Sequence, residues 1–269
     1  MRSSLADLDL GQFIRPGDGV LIGQGTGEPL SLTEKLVEQR GQFSGAEIFL
    51  GTAFSGTFGS EHSDHLRFRG MGGIGTLRRL VAAGAMECVP CHSSSVEGLI
   101  EQRSVRSDVV MLFVSPPNDR GEHSFGLVND YVRAAIRRAR VVLVEVSEHI
   151  PWTYCEEPLQ ASEITHMIHT ERTPLELRPV PFGEIERRIA NHLADAIPER
   201  ATLQIGIGAI PEAIVSMLSD RRDLGIHSGM IGDSVVDLIE AGAVSNAYKG
   251  IDAGISVAGV LFGTQRLYR

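Results

Sequence analysis

The sequence predicts an α/β fold, in which a mostly parallel sheet is covered by helices and the chain forms two related domains. Short apolar segments alternate with segments of helical periodicity from residue 20 onward. Val109–Val114 and Val141–Val144 are continuously apolar, which is typical of strands buried on both faces of a parallel sheet. Internal sequence similarity predicts the second domain, because residues 14–23 (IRPGDGVLIG) resemble residues 197–206 (IPERATLQIG).

The first half of the chain contains four predicted strands and four predicted helices. The predicted strands are Val20–Ile22, Ile48–Leu50, Val109–Val114 and Val141–Val144. The predicted helices are Leu30–Val37, Thr76–Ala83, Val96–Gln102 and Val132–Ala139. Ser115, Pro116 and Pro117 follow a buried strand, at the carboxyl edge where α/β sheets bind their ligands. A plain turn is the alternative interpretation of this loop.

A domain boundary is predicted near residue 180. Pro174, Pro179 and Pro181 interrupt the segment 173–182, which has the character of a linker. We therefore expect an N-terminal domain over residues 1–182 and the start of a second domain over residues 183–269. The second segment is short for a domain of this type, so we expect it to be incomplete.

The second half is organised around residues 201–242. An apolar strand over Ala201–Ile205 is followed by Gly206-Ile207-Gly208 and by a helix with Pro211 in its first turn. A second strand over Leu224–His227 and a helix opened by Gly232-Asp233 complete the unit. Backbone N–H groups are left free at such a turn, which suits an anion or a developing oxyanion.

Composition excludes several classes of protein. Hydrophobic residues make up 42% and charged residues 22% of the 269, as in ordinary globular proteins. The net charge of −9 argues against nucleic acid as a partner, and no segment predicts a membrane span. Three cysteines do not form a disulfide framework, and the N-terminus lacks the apolar core of a signal peptide. We expect a reduced, cytoplasmic protein.

Three short motifs suggest other chemistries. The sequence Cys88-Val89-Pro90-Cys91-His92 matches a haem-attachment motif, but we favour a strand and loop with ordinary thiols over haem, a redox dithiol or zinc. The G-x-G-x-x-G run at 70–75 follows an alternating segment, unlike the buried strand of a dinucleotide site. His62, Asp64 and His65 fit a solvated loop better than a metal site. We expect no metal and no haem.

Several segments together resemble the acetyl-CoA hydrolase/transferase family, which includes the 4-hydroxybutyrate and butyrate–acetate CoA-transferases. They carry the resemblance over essentially the whole chain. The segments are Val114–Pro117 with Gly121 and Ser124, Asp130-Tyr131, Val144–Val146, Thr202–Pro211, Asp223–Ser228 with Met230, Asp233 and Val236–Leu238, and Gly263 with Leu267-Tyr268.

The resemblance implies two CoA-transferase-type α/β domains that meet at an active site. It implies that Gly206, Ile207, Gly208, Ala209 and Ile210 contact coenzyme A, which serves as substrate or ligand. The implied substrate pocket contains Gly25, Ser115, Pro116, Pro117, His227, Ser228 and Met230. The implied partners are acyl-CoA, a small carboxylate, and either further copies of the chain or a complementary CoA-transferase subunit.

One departure from the family's pattern concerns its nucleophile. The family has a glutamate between the His-Ser/Thr pair and the methionine, and this carboxylate attacks the acyl-CoA thioester and then carries CoA. The position is Gly229 here, and glycine has no nucleophilic group. Glu212, Asp233 or a bound water could replace it, although a helix cap alone also explains Asp233 and the helix dipole alone also explains Glu212. Members of the family are also about half as long again.

Three functional hypotheses follow. The first is an acyl-CoA-processing enzyme, a CoA-transferase or thioester hydrolase, that acts with a complementary subunit. The second is a catalytically inactive CoA-binding or structural subunit of such a complex. The third is an unrelated activity, such as a nicotinamide enzyme that uses residues 70–75. The sequence leaves the acyl group and the acceptor undefined.

Overall fold

The computed structural model, which describes residues 5–269, divides into two compact units between Leu175 and Glu176. Residues 170–183 form neither helix nor strand, in the region where prolines predict a linker. The domain bounds 1–182 and 183–269 stay a prediction.

The first unit contains nine strands and four helices of at least five residues among its described residues. The strands are β1 (Gly19–Ile22), β2 (Ala46–Leu50), β3 (Leu66–Gly70), β4 (Met86–Cys88), β5 (Val109–Val114), β6 (Glu122–His123), β7 (Val141–Val146), β8 (Leu159–Gln160) and β9 (His166–His169). The helices are α1 (Leu30–Gln39), α2 (Arg78–Ala82), α3 (Val96–Glu101) and α4 (Val132–Arg138).

Seven of these strands form one parallel sheet in the order β4-β3-β2-β1-β5-β7-β9. The parallel α/β fold predicted from the sequence is confirmed. The chain moves outward from β1 to β4, returns beside β1 as β5, and then continues in the other direction. The order therefore reverses between β1 and β5, and α/β proteins bind ligands beyond the carboxyl ends of the strands at such a point.

The central strands of the sheet are buried along their whole length. Every residue of β1, β5 and β7 is buried, as their continuous apolar sequences predict. Strand β3 was missed in the sequence, where its alternation of polar and apolar residues is unlike a buried strand. Arg69 of β3 lies 3.7 Å from Glu47 and 3.2 Å from Glu87 on the neighbouring strands, so these ion pairs form a polar face near the edge of the sheet.

The second unit contains a three-stranded parallel sheet and four helices. The strands, in the order β10-β11-β12, are β10 (Thr202–Leu203), β11 (Gly225–Ile231) and β12 (Val257–Leu261). The helices are α5 (Glu184–Ala194), α6 (Ala209–Ser216), α7 (Asp233–Glu240) and α8 (Gln265–Tyr268). Strand β11 runs four residues beyond its predicted end at His227, so Gly229 lies within a strand.

Buried apolar side chains of α5, α6 and α7 form a core with Leu224 in this second unit. The hydrophobic spacing of Ile214, Val215 and Leu218 predicts an inward helix face; Val215 is buried on α6, and Leu218 is buried two residues beyond the end of this helix. Over residues 5–269, none of the helices is both long enough and apolar enough to cross a membrane.

Candidate functional site

Two loops of the first unit flank the point where the strand order reverses. Residues 23–29 follow β1 and residues 115–121 follow β5, so the predicted pocket residues of this unit lie on adjacent loops. Gly25 has φ +58°, and its N–H donates to the carbonyl of Thr52 at 2.7 Å. The left-handed backbone favours glycine, which explains the residue at this turn.

Ser115 shapes its loop from within and is 2% exposed. Its hydroxyl accepts the N–H of Ser124 at 2.9 Å and donates to the carbonyl of Pro116 at 2.9 Å. Its carbonyl lies 2.7 Å from Nδ1 of His123, whose pKa is lowered by burial, so the neutral imidazole donates from Nδ1. Pro116 is half-buried and Pro117 is exposed.

Two buried carboxylates support the same region, and neither is among the site residues predicted from the sequence. Glu145 accepts the N–H of Ser31 at 2.8 Å and its hydroxyl at 2.6 Å, at the N-terminus of α1. Glu28 accepts the hydroxyl of Thr33 at 2.9 Å. Burial raises the pKa of both carboxyl groups, against the opposing effect of these hydrogen bonds. A glutamate inside the apolar strand β7 is the signal that could have revealed Glu145.

Asp130 connects the segment before α4 to the loop after β1. Its Oδ2 accepts a hydrogen bond from the side-chain amide of Gln24, and its Oδ1 accepts the N–H of Tyr131 at 2.7 Å. Loss of water contact raises the pKa of Asp130 from the ordinary 3.8 to about 6. The Tyr131 hydroxyl and Oε1 of Gln24 have no hydrogen-bond partner within residues 5–269, and a Cβ on Gly51 would lie 2.2 and 2.4 Å from them. Glycine is therefore required at position 51.

The glycine turn of the second unit is held by a single serine. The Ser228 hydroxyl accepts the N–H of Ile205 at 2.9 Å and donates to the carbonyl of Met230 at 2.6 Å. Ser228 is 5% exposed, so its hydroxyl has an internal structural role. The turn then enters α6 through Gly208, whose φ of +125° favours glycine. No side chain caps this helix, which leaves N–H groups available at its start.

A cleft of about 370 Å³, including its open mouth, lies beside this turn in the second unit. The cleft is lined by residues 177–180, 205–208, 212, 230, 232–234 and 262. Glu212 is half-buried on its wall, and desolvation raises the pKa of its carboxyl group against a hydrogen bond with Ser234. A carboxyl group with a raised pKa in a cleft is suited to proton transfer.

Asp233 also lines the cleft, but both of its oxygens have partners. Oδ1 accepts the N–H of Thr264 at 2.9 Å, and Oδ2 accepts the Thr264 hydroxyl at 2.7 Å. These bonds tie the first residue of α7 to the residue before α8. Glu212 is thus better disposed than Asp233 to act on a ligand.

Gly229 is exposed on β11, between Ser228 and Met230. No atom lies within 4 Å of the position that a Cβ would take, and its φ is outside the left-handed region. His227 is half-exposed on the same strand, with Nδ1 at 3.9 Å from an Asp252 carboxylate oxygen. Ile207 and Ile210 are exposed at the start of α6.

The site residues predicted from the sequence thus form two groups, each within one unit. Gly25 and residues 115–117 share the carboxyl edge of the first sheet, whereas residues 206–212 and 227–233 surround the second unit's cleft or its adjoining strand. Cys88, Cys91 and Cys155 are free thiols, with Cys88 at the end of β4. Residues 5–269 contain no group of three His, Cys, Asp or Glu side chains that could hold a metal ion.

A family model matches residues 7–175, described as the acetyl-CoA hydrolase/transferase N-terminal domain. The chain is 34% identical over 251 residues to 4-hydroxybutyrate coenzyme A transferase of Clostridium kluyveri, covering 93% of this chain and 58% of that protein. It is 30% identical over 260 residues to succinyl-CoA:acetate/propanoyl-CoA:succinate CoA transferase of Fasciola hepatica, covering 95% of this chain and 54% of that protein. The chain thus spans somewhat more than half the length of these relatives.

Solved structures share the fold over the whole chain. The crystal structure of RipA from Yersinia pestis matches with a TM-score of 0.91 and 26% identity, covering 100% of this chain and 65% of that one. The crystal structure of 4-hydroxybutyrate CoA-transferase from Porphyromonas gingivalis matches with a TM-score of 0.81 and 27% identity, covering 99% and 64%.

Proposed function

The chain belongs to the acetyl-CoA hydrolase/transferase family, and from this premise we propose that it processes acyl-CoA. The activity is that of a CoA-transferase or thioester hydrolase, with acyl-CoA and a small carboxylate as ligands. A complementary subunit or further copies of the chain complete the assembly, which acts in the cytoplasm. Coenzyme A enters as substrate or ligand, with no metal or haem.

The observation that carries the proposal is the cleft beside the glycine turn of the second unit. Its wall combines the backbone of Gly206–Gly208 with the half-buried carboxyl group of Glu212. The N–H groups at the start of α6 would stabilise the oxyanion that forms when a thioester carbonyl is attacked. Gly206–Ile210 is therefore the CoA-contacting segment of the proposal, with Met230 on the same wall.

Glu212 supplies the chemistry that Gly229 lacks. In this mechanism the Glu212 carboxylate removes a proton from water, and the water oxygen attacks the thioester carbonyl. The C–S bond breaks, the acid and the CoA thiolate are released, and the proton passes from Glu212 to the thiolate. The products are a free carboxylic acid and CoA, without a covalent protein–CoA intermediate.

A second candidate function is a catalytically inactive CoA-binding or structural subunit. The residue at 229 favours it, because an exposed glycine stands where the sequence resemblance places the family's nucleophilic carboxylate. This candidate predicts CoA binding without turnover.

The test is an acyl-CoA hydrolysis assay on the purified chain, with its complementary subunit where one co-purifies. Glu212→Gln should lower hydrolysis about 100-fold or more, as expected for loss of a general base, while CoA binding persists. The native rate should rise with pH through the raised pKa of Glu212, because the base must be deprotonated, and the Gln variant should lose that rise.

Glu199→Gln is the matched control, since Glu199 is an exposed carboxylate of the same unit. CoA binding with no hydrolysis and no CoA exchange would identify the inactive subunit. No CoA binding at all would contradict both candidates.

A further inference from the structure

A second cleft lies at the opposite, amino-terminal edge of the first unit's sheet. It has a volume of about 500 Å³ including its mouth, and it is lined by the end of α3, by residues 105–108 and by Arg138 at the end of α4. Residues 105–108 lead into the amino end of β5. The loops proposed to bind the acyl-CoA substrate follow the other end of that strand.

The charge of this cleft is positive. Three arginines line it, Arg103, Arg106 and Arg138, against one carboxylate, Asp108. Asp108 is already neutralised, because its Oδ2 accepts the N–H of Gly19 at 2.8 Å and Nη2 of Arg106 at 2.5 Å. Arg138 donates one N–H to the carbonyl of Glu101 at 2.9 Å and keeps its other donors for a ligand.

Arg103 has an unusual backbone conformation for its residue type. It lies just beyond the C-cap of α3 with φ +59°, a position that favours glycine. The only other arginine with positive φ within residues 5–269 is Arg200, whose guanidinium lies 4.1 Å above the ring of Tyr248. The Arg103 side chain lines the cleft and is exposed to solvent. Its charge is therefore available to an anion that enters the cleft.

We propose that this cleft binds a phosphate-bearing small molecule, held chiefly by Arg103 and Arg138. The planar guanidinium group presents paired N–H donors that match the oxygens of a phosphate. Two available guanidinium groups favour a multiply charged anion over a monocarboxylate. Within the first unit, the cleft lies at the amino end of β5, away from the loops after β1 and β5 that are proposed to bind substrate, so its ligand is a second, regulatory or accessory molecule.

The first test measures binding of inorganic diphosphate, phosphate and acetate to the full chain by isothermal titration calorimetry at low salt. Diphosphate should bind most tightly and acetate least. Arg103→Gln and Arg138→Gln should each weaken diphosphate binding about tenfold or more, as expected for loss of a charged hydrogen bond. Equal affinity for acetate and diphosphate, or binding unchanged in both variants, would overturn the proposal.

The second test separates ligand binding from stability through Arg103→Gly. Glycine relieves the positive φ, so the variant should melt about 2–4 °C higher than the native chain without ligand, while its affinity for diphosphate falls. Arg200→Gly is the matched control, because it also removes an arginine with positive φ but lies in the second unit, and it should bind diphosphate like the native chain. Equal losses of affinity in the two glycine variants would reflect net charge alone and contradict the assigned site.

Discussion

Gly229 is the residue that the sequence resemblance aligns with the family's nucleophile, and it lies on a strand that would accept a side chain. The space around it is open for at least 4 Å from a built Cβ, and its φ lies outside the left-handed region. A glutamate there would therefore be free of the backbone strain that a left-handed glycine position would impose. The backbone at position 229 is thus compatible with a glutamate side chain, although glycine supplies no carboxylate there.

Gly229→Glu should accordingly create a covalent protein–CoA adduct in the complete assembly. The introduced carboxylate would attack the thioester carbonyl, giving a mixed anhydride and the CoA thiolate. The thiolate would then attack the glutamyl carbonyl, which releases the acyl group as a free carboxylate and leaves CoA as a glutamyl thioester. The free energy of unfolding should change by less than about 1 kcal/mol because the site is exposed. Mass spectrometry after incubation with acyl-CoA, followed by borohydride trapping, measures the adduct.

Gly229→Gln is the control for this substitution, since it adds the same bulk without a carboxylate and should give no adduct. An adduct on the native chain would instead reveal a different nucleophile, with Glu212 and Asp233 the first candidates to mutate.

Asp130 should make the stability of the protein depend on pH. Its pKa is about 6 in the fold against an ordinary 3.8, so the folded state holds the proton more tightly than the unfolded chain does. The ionisation of Asp130 should therefore lower the free energy of unfolding by at most about 3 kcal/mol as the pH rises from about 4 to about 6. Above about pH 6 the contribution of this group should stay level.

The measurement is urea unfolding at several pH values, for the native chain and for Asp130→Asn. Other groups titrate in both proteins, so the difference between the two curves isolates Asp130. Between about pH 4 and about pH 6, the difference in unfolding free energy between the two proteins should change by close to the limit of about 3 kcal/mol. Parallel curves across this interval would show that Asp130 ionises normally.

At the scale of elements, two of the predicted ligand loops are positioned by a serine hydroxyl group. Ser115 joins the loop after β5 to Ser124, and Ser228 of β11 joins the residue before the glycine turn to Met230. Both serines are buried. Serine at these positions therefore serves loop geometry, which in turn sets where backbone N–H groups point.

Ser228→Ala should weaken CoA binding without removing a contact to the ligand. The substitution leaves the N–H of Ile205 and the carbonyl of Met230 without their shared partner, at a cost of about 1–3 kcal/mol in unfolding free energy. Calorimetric titration with CoA and urea unfolding measure the two effects.

Ser216→Ala provides the comparison, because Ser216 is exposed on α6 and bonds only the carbonyl of Ala213 in its own helix. It should leave both quantities almost unchanged. Native CoA affinity in Ser228→Ala would show that the turn keeps its shape without the hydroxyl group.

At the scale of the whole molecule, the second unit exposes several large apolar side chains. Ile185 is 70%, Ile251 66% and Ile255 60% exposed. Covering such side chains with another chain is favourable, because it removes apolar surface from water. The three-stranded sheet of this unit also ends in β12, an edge strand that could pair with another chain.

We therefore expect the chain to be an oligomer, or to co-purify with a complementary subunit, at micromolar concentration. Sedimentation velocity measures the state, and Ile251→Asp with Ile255→Asp should shift it toward smaller species. Arg222→Asp is a control on an exposed polar position of the same unit. A stable monomer, with no partner recovered from its host, would contradict this expectation.

The sequence by itself determined the parallel α/β fold and the family. Strand burial, helix periodicity and glycine turns depend on a few neighbouring residues, so the run 109–114 and the turn at 206–208 could be recognised locally. Strand β3 was missed because its apolar residues alternate with charged ones. The ion pairs of Arg69 with the adjacent strands cannot be read from the local sequence. The sequence could likewise identify Gly229 as a departure, since that requires only its place in a motif.

Only the tertiary structure decided what the candidate side chains do. It brought the loops after β1 and β5 side by side, assigned the oxygens of Asp233 to Thr264, and left Glu212 on the wall of the cleft. It also surrounded Gly229 with open space. Hydrogen-bond partners, desolvation and free volume arise from residues distant in the chain, and local sequence patterns carry no record of them.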